Sequence, residues 1–211
     1  LRNRRRSAVT VTIAALGTAA ILLAGGFAIF TYESLAQASA RTTGHLIVAK
    51  PEQFSKDEEV PLQHGLDGAD ALKAQLMADD HVRQVLPRVE FSGLISNGDK
   101  STVMVAAGID PDAEFAVKGP LLHGTAGEAL SRSERMNVML GSGLAKSLKA
   151  EPGSSLTLMA STTEGALNAL DVTVKGVFST GIPDVDKRLV YTDVATAQKL
   201  LGTQRVSSLG V

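Results

Sequence analysis

The run AVTVTIAALGTAAILLAGGFAIF, residues 8–30, decides how the chain is organised. No charged side chain interrupts it. At about 1.5 Å per residue a helix of this length reaches roughly 34 Å, enough to cross a hydrocarbon core of about 30 Å. Only a helix or a closed barrel satisfies its own backbone there. Arg2, Arg4, Arg5 and Arg6 stand directly before the run, and no acid occurs before Glu33. That asymmetry predicts a cytoplasmic flank over residues 1–7 and places everything after Phe30 on the opposite side of the membrane. A cleaved signal peptide is the rival reading, since Ala36-Gln37-Ala38 and Ala38-Ser39-Ala40 have the form of cleavage sites. The length of the apolar run favours a retained helix. Gly17, Gly25 and Gly26 would let a second helix approach closely, although glycine is also simply common in membrane helices. Residues 31–43 are weakly polar, keep helical character, and read as a stalk.

The bulk composition suits a packed domain beyond the stalk. The chain has 211 residues, 44% hydrophobic and 20% charged, a globular composition. It has no Trp and only 4% aromatic residues, so the core must be built from Val, Leu, Ile and Ala. Without the four leading arginines, 17 basic residues face 22 acids. A mildly acidic domain does not suit nucleic-acid binding, which needs a basic face. The absence of cysteine excludes a disulfide framework and a thiolate metal site. Leu1 is not a start Met, which fits a chain whose true N-terminus lies upstream.

Residues 44–211 alternate between strand and short-helix patterns. Residues 44–49 (GHLIVA) read as a first strand, and residues 51–65, with two prolines, as a loop. Asp67 is placed to cap a helix running to about Met77, with Leu72, Leu76 and Met77 on one face. Residues 81–85 and 88–95 read as strands. Asn97-Gly98-Asp99 signals a hairpin turn into a return strand over 102–109. Residues 128–135 read as a short helix. Residues 138–140 read as a strand feeding Gly141-Ser142-Gly143 and a helix over 144–148, which Glu151-Pro152-Gly153 ends. Strands are expected at 155–159, 170–177, 188–191 and 206–211, with a helix over 194–201 capped by Asp193. The fold class is α+β, with the outer domain built as two small mixed α/β lobes.

Chemistry-bearing constellations are scarce. His45, His64, His81 and His123 form no close metal pair, and they read as surface or strand-end residues. Gly141-Ser142-Gly143 lacks the frame of a nucleophile elbow and the Gly-Lys-Ser/Thr end of a phosphate loop, so it reads as a strand-to-helix turn. No Walker A motif occurs. Asp184 and Asp186 lack the glycine turn and distal Glu of a calcium loop. Solvation, or ion pairing with Lys187 or Arg188, explains them more simply. The sequence predicts a binding or mechanical role, not an enzyme, with no cofactor and no metal.

Several strings together resemble a known family. The opening LRNRRRSAVTVTIAALG resembles the entry to the first membrane helix of FtsX-like ABC-transporter permeases, a group that includes the lipoprotein-releasing LolC/LolE permeases and the MacB exporters. Thr43-Gly44-His45-Leu46-Ile47-Val48 resembles the first periplasmic strand of the LolC/LolE-like members. Residues 91–114 (FSGLISNGDKSTVMVAAGIDPDAE), 138–160 (VMLGSGLAKSLKAEPGSSLTLMA) and 177–201 resemble later blocks of the same domain. The resemblance implies a MacB-like periplasmic core domain over 44–211 on the first membrane helix of a four-helix permease in the bacterial inner membrane. The chain ends at Val211 without a second apolar span and so resembles the N-terminal part of such a protein. The implied partners are a cytoplasmic ATPase, a second permease subunit, membrane lipid, a lipoprotein substrate and its periplasmic carrier. A signalling permease that switches a cell-wall hydrolase, a MacB-like exporter, and a plain anchored binding domain are the alternatives. In lipoprotein-releasing members a loop between two strands grips the carrier. The matching residues are Ser161, Thr162, Thr163, Glu164, Gly165, Ala166, Leu167 and Asn168, a short loop without Pro that reads equally as an ordinary hairpin.

Overall fold

The computed structural model describes residues 3–54, 61–118 and 123–211. They fall into two compact units, residues 1–42 and residues 43–211.

The first unit is one helix, α1 (Arg4–Thr43), of 40 residues. Its apolar side chains are bare on every side: Ile13, Leu16, Leu22, Phe27 and Phe30 are each more than 60% exposed. A helix that is apolar all round finds its match in lipid or a core rather than water. Thr10, Thr12 and Thr31 donate their hydroxyls to the carbonyls of Arg6, Ala8 and Phe27 at 2.8–3.0 Å, so these polar atoms have partners within the helix itself. The stretch Arg4–Gln37 is long and apolar enough to cross a membrane, and the helix runs without a break through the expected stalk.

In the second unit the elements run β1 (Ile47–Val48), α2 (Ala69–Leu76), β2 (Leu86–Ser96), β3 (Ser101–Ile109), α3 (Pro111–Lys118), β4 (His123–Gly127), β5 (Asn137–Gly141), α4 (Ser142–Leu148), β6 (Ser155–Ser161), β7 (Leu167–Ser179), α5 (Pro183–Asp186), β8 (Leu189–Asp193), α6 (Val194–Leu201) and β9 (Ser208–Gly210). The strand pairings close a ring. β2 pairs with β3, β3 with β8, β8 with β5, β5 with β7, β7 with β6, and β6 returns to β2. β2 also pairs at its start with β9, which carries β1. β2 passes from a small antiparallel sheet into the ring, and both parts belong to one compact unit with a common core.

Period-2 alternation sorts the ring's side chains onto two faces. Phe91, Ile95, Met104, Val138, Leu140, Leu156, Leu158, Val172, Val174 and Val190 form the main core. α4 completes that core with Leu144 and Leu148, and α6 with Ala197, Leu200 and Leu201. α6 touches β2, β3, β6, β7 and β8. The opposite face carries a second cluster of Ile109, Leu130, Met139, Phe178 and Tyr191, against which Phe115 of α3 packs. Ring closure requires glycine: a Cβ on Gly93 of β2 would lie 2.2 Å from the Met159 carbonyl oxygen of β6.

The hairpin turn forms as expected. The Asn97 carboxamide oxygen accepts from the Asp99 and Lys100 amides at 3.1 and 2.7 Å, and its Nδ2 donates to the Leu148 carbonyl at 2.8 Å. Asp193 caps α6, accepting from the Thr196 amide at 2.9 Å.

Other expectations need correction. Asp67 does not cap α2; Gly68, in the left-handed region at φ 64°, precedes it. Asp67 instead binds Arg205 at 2.8 Å and Lys50 at 3.3 Å, and the Arg205 hydrogen bond leads in holding its carboxyl below the usual range. Leu72 and Leu76 pack on the core, but Met77 is 44% exposed. Residues 81–85 form no strand because Asp79 turns the chain locally, accepting from both the amide and the ring of His81 at 2.9 Å. Residues 128–135 form no helix. The Glu128 amide is bound to the Lys175 carbonyl, and Lys175 grips Glu128 and Glu134 at 2.9 Å each. That segment is stitched along β7 instead. The first strand shrinks to Ile47–Val48 and the last to Ser208–Gly210. α3, β4 and α5 were not anticipated, and of the loop expected over 51–65, Pro51–Phe54 is a 3-10 turn while residues 55–60 lie outside the described residues.

Closure through Gly93 yields a direct expectation. Gly93→Ala should destabilise the domain by about 1–3 kcal/mol through overpacking. Gly124→Ala, where a Cβ meets nothing within 4 Å, should stay within about 0.5 kcal/mol of the parent in the same denaturant titration.

Candidate functional site

Of the residues expected to form a loop and meet a partner, Ser161 ends β6, Leu167 and Asn168 begin β7, and residues 162–166 form the turn between them, which is closed on itself. The Thr162 amide donates to the Ala166 carbonyl at 2.7 Å and the Gly165 amide to the Thr162 carbonyl at 2.9 Å. The Thr162 hydroxyl accepts from the Glu164 and Ala166 amides. The turn is also fastened to the C-terminal end of α6. The Thr163 amide donates to the Leu201 carbonyl at 3.1 Å, and Asn168 Nδ2 to the Leu200 carbonyl at 2.8 Å. Orphan carbonyls at a helix end need such donors. Ser161, Glu164, Gly165, Ala166 and Leu167 face solvent, Leu167 at 76% exposure. The loop thus presents a rigid tip with one bare aliphatic side chain. Arg4, Arg5 and Arg6 lie exposed in the first turn of α1, while Arg2 lies outside the described residues.

The paired acids of residues 184–186 separate in the fold. Asp184 is exposed and pairs with Lys187 at 2.9 Å. Asp186 is buried and accepts from the Ser179 hydroxyl at 2.6 Å, the Thr180 hydroxyl at 2.8 Å, the Thr180 amide at 2.9 Å and the Ser142 hydroxyl at 3.2 Å. Burial pushes its carboxyl up, but these donors together hold it below its ordinary value of 3.8. The Gly141-Ser142-Gly143 turn serves this knot: a Cβ on Gly141 would lie 2.3 Å from the Asp186 carbonyl oxygen. Sequence reading missed it because the donors come from two stretches of chain, Ser142 and the adjacent Ser179 and Thr180, the first 44 residues from the acid.

A second buried knot lies where β2, α2 and α3 meet. Arg88 and Glu114 pair at 2.9 Å with almost no exposure. Asp110 binds Arg132 and, at 3.5 Å, Lys73. Tyr191 is pushed up to about 12, first by burial and then by the Glu114 charge. In the first knot three hydroxyls donate to one carboxylate that is itself buried. Among the described residues no three His, Asp or Glu side chains converge as a metal site. These clusters fix geometry.

The profile of the MacB-like periplasmic core domain matches residues 7–211, running from α1 through the last strand. The chain belongs to this family. The LolE transmembrane protein of the lipoprotein-releasing system of Haemophilus influenzae is 28% identical over 145 residues, 66% of this chain and 35% of that protein. The chain thus spans about a third of that relative's length. The periplasmic region of MacB from Actinobacillus actinomycetemcomitans superposes with a TM-score of 0.54 at 18% identity, covering 81% of this chain and 75% of that one. The extracellular domain of YknZ, a noncanonic ABC-type transporter from Gram-positive bacteria, gives 0.53 at 20% identity, covering 69% and 71%. At these identities the two structures establish the fold. The expected mixed α/β domain behind an apolar helix is therefore the MacB-like domain.

Two outcomes follow from the knots. Asp186 has a depressed folded value, so its contribution is present above its ordinary 3.8 and is lost as pH falls through the lower folded value. Asp186→Asn should cost about 1–3 kcal/mol at neutral pH and flatten stability against pH in that acid window. Glu114→Ala should cost about 3–5 kcal/mol in urea unfolding by stranding Arg88. Pairing it with Arg88→Met should recover much of that loss.

Proposed function

We infer that this chain is the N-terminal part of an ABC-transporter permease subunit, in which α1 is the first membrane helix and residues 44–211 work outside the cytoplasm. The family match carries the reading, because one profile covers the apolar helix and the domain continuously. The arginines before α1 support a cytoplasmic N-terminus by the positive-inside rule. Power for transport comes from a separate cytoplasmic ATPase, and two permease subunits work as a pair. The domain divisions at residues 7, 30 and 43 belong to this reading.

The cargo we assign is a lipoprotein leaving the inner membrane. The identity with the LolE relative, spread over 145 residues, supports it. In this account the β6–β7 turn meets a periplasmic carrier through Leu167 and the backbone around Glu164. Its rigidity supports that role, since a preordered loop loses little entropy on docking.

Purification of the whole protein in detergent from its native membrane, with mass spectrometry of what accompanies it, tests both levels. An ATPase with lipoproteins is the expected result. An ATPase with a cell-wall hydrolase would replace lipoprotein release by signalling, and no ATPase would end the permease reading. Leu167→Asp should leave the ATPase bound while weakening carrier capture at least tenfold.

A further inference from the structure

Residues 128–136 run from the end of β4 to the start of β5 and form no regular element. Both feet of this segment are pinned to the ring. At one foot the Glu128 amide donates to the Lys175 carbonyl at 3.1 Å. At the other the Met136 amide donates to the Thr196 hydroxyl at 3.0 Å, and the Met136 carbonyl accepts from the Thr173 amide at 2.9 Å. Gly127 and Met136 both have left-handed backbone, at φ 73° and 62°, so the chain turns sharply where it leaves and rejoins the sheet. Between the feet the backbone hydrogen bonds are local. The Glu134 amide donates to the Ser131 carbonyl at 3.1 Å, and the Ser133 amide to the Ser131 hydroxyl at 3.4 Å.

Side chains attach the middle of the segment. Leu130 is buried and packs into the second cluster with Ile109, Met139, Phe178 and Tyr191. Arg132 binds Asp110 at the start of α3, and Glu134 binds Lys175 of β7 at 2.9 Å. Each of these receiving ions has a second partner outside the middle of the segment. Asp110 also pairs with Lys73 of α2 at 3.5 Å, and Lys175 with Glu128, at the pinned foot, at 2.9 Å. Taking one partner from a buried ion is costly because the charge is left uncompensated. Here the buried Asp110 keeps Lys73, and Lys175 keeps Glu128, when Arg132 and Glu134 leave. Arg132 and Glu134 already meet solvent, at 65% and 43% side-chain exposure, so they hydrate on release with little rearrangement.

We propose that residues 128–136 are a strap that opens as a unit between its two pinned feet, withdrawing Leu130 and baring the cluster of Ile109, Met139, Phe178 and Tyr191 while the ring stays folded. A segment with one buried apolar anchor opens at a much lower free energy than a core held by strand ladders. Met139 and Phe178 also line a hollow of about 170 Å³ over the β4–β7–β5 face, with Glu128 and Ala129 among its walls. Opening joins the seat of Leu130 to that hollow. The ion pairs set the sensitivity of the strap, because their exposed ends are screened by salt. The device is separate from the β6–β7 turn and does not depend on an ATPase or a lipoprotein cargo.

The test is maleimide labelling of single cysteines in the full protein in nonionic detergent micelles, with any cysteine outside these 211 residues replaced. Leu130→Cys reports the seat of the strap, and Val190→Cys, fully buried in the main core, reports the ring. Leu130→Cys should label at least about a hundredfold faster than Val190→Cys, as local opening requires. Adding Arg132→Gln and Glu134→Gln together should speed labelling at position 130 about tenfold, while labelling at position 190 and the thermal midpoint stay at the parent's values. Raising NaCl from about 0.1 M to about 1 M should speed labelling at position 130 about threefold without those substitutions and leave it unchanged with them. Met139→Cys keeps Leu130 in place and should show the same response to the two glutamines, which entry through the hollow would not. Equal labelling rates at positions 130 and 190 would overturn the proposal, since the strap would then open only with the whole domain. Labelling at positions 130 and 139 that ignores both glutamines would do so as well.

Discussion

Ring closure between β2 and β6 is the constraint on which the domain depends. Where the six strands return on themselves, Gly93 lets the Met159 carbonyl lie 2.2 Å from where a Cβ would stand, so any side chain there forces a shift. Once the ring is closed, alternation along each strand fixes two faces, and the helices follow. α4 and α6 complete one face and α3 packs on the other. With few aromatic side chains available, close approach of small residues replaces bulk. Ala197 of α6 lies against Gly108 of β3, where a Cβ would sit 2.5 Å away.

The same logic places the ends of the domain. The Val211 carbonyl accepts from the His45 and Leu46 amides, and the Val211 amide donates to the Leu46 carbonyl, at 2.8–3.1 Å. Residues 45–46 and residue 211 are thus held side by side. Backbone ladders resist shear because several bonds must break together. In the buried knots around Asp186 and Arg88–Glu114, removing one partner leaves the other buried and uncompensated.

Local signals in the sequence were read correctly where one short stretch determines the outcome. Asn97-Gly98 closes its hairpin through its own carboxamide, Asp193 caps α6, and the uncharged residues 8–30 form one unbroken helix. The readings failed where a distant partner decides. Asp67 has the chemistry of a cap, yet Arg205 lies 138 residues away and claims it. Residues 128–135 have helical composition, but Lys175 draws two of their acids onto β7. The Ser161–Asn168 hairpin was legible as a turn. Its attachment to the end of α6 was not, because those carbonyls come from a helix more than thirty residues later. The ring itself had no local signature, since its closing pair joins residues 94–96 to residues 157–159.

The central claim is that α1 crosses the membrane and carries the domain outside the cytoplasm. These 211 residues hold no cysteine, so once any cysteine elsewhere in the full protein is replaced, single cysteines report position without background. Asn3→Cys and Glu164→Cys, each in the full protein in spheroplasts, should be compared with a maleimide that does not cross membranes. The account predicts immediate labelling at position 164 and labelling at position 3 only after the membrane is permeabilised. Labelling at position 3 in intact spheroplasts, with position 164 protected, would contradict it.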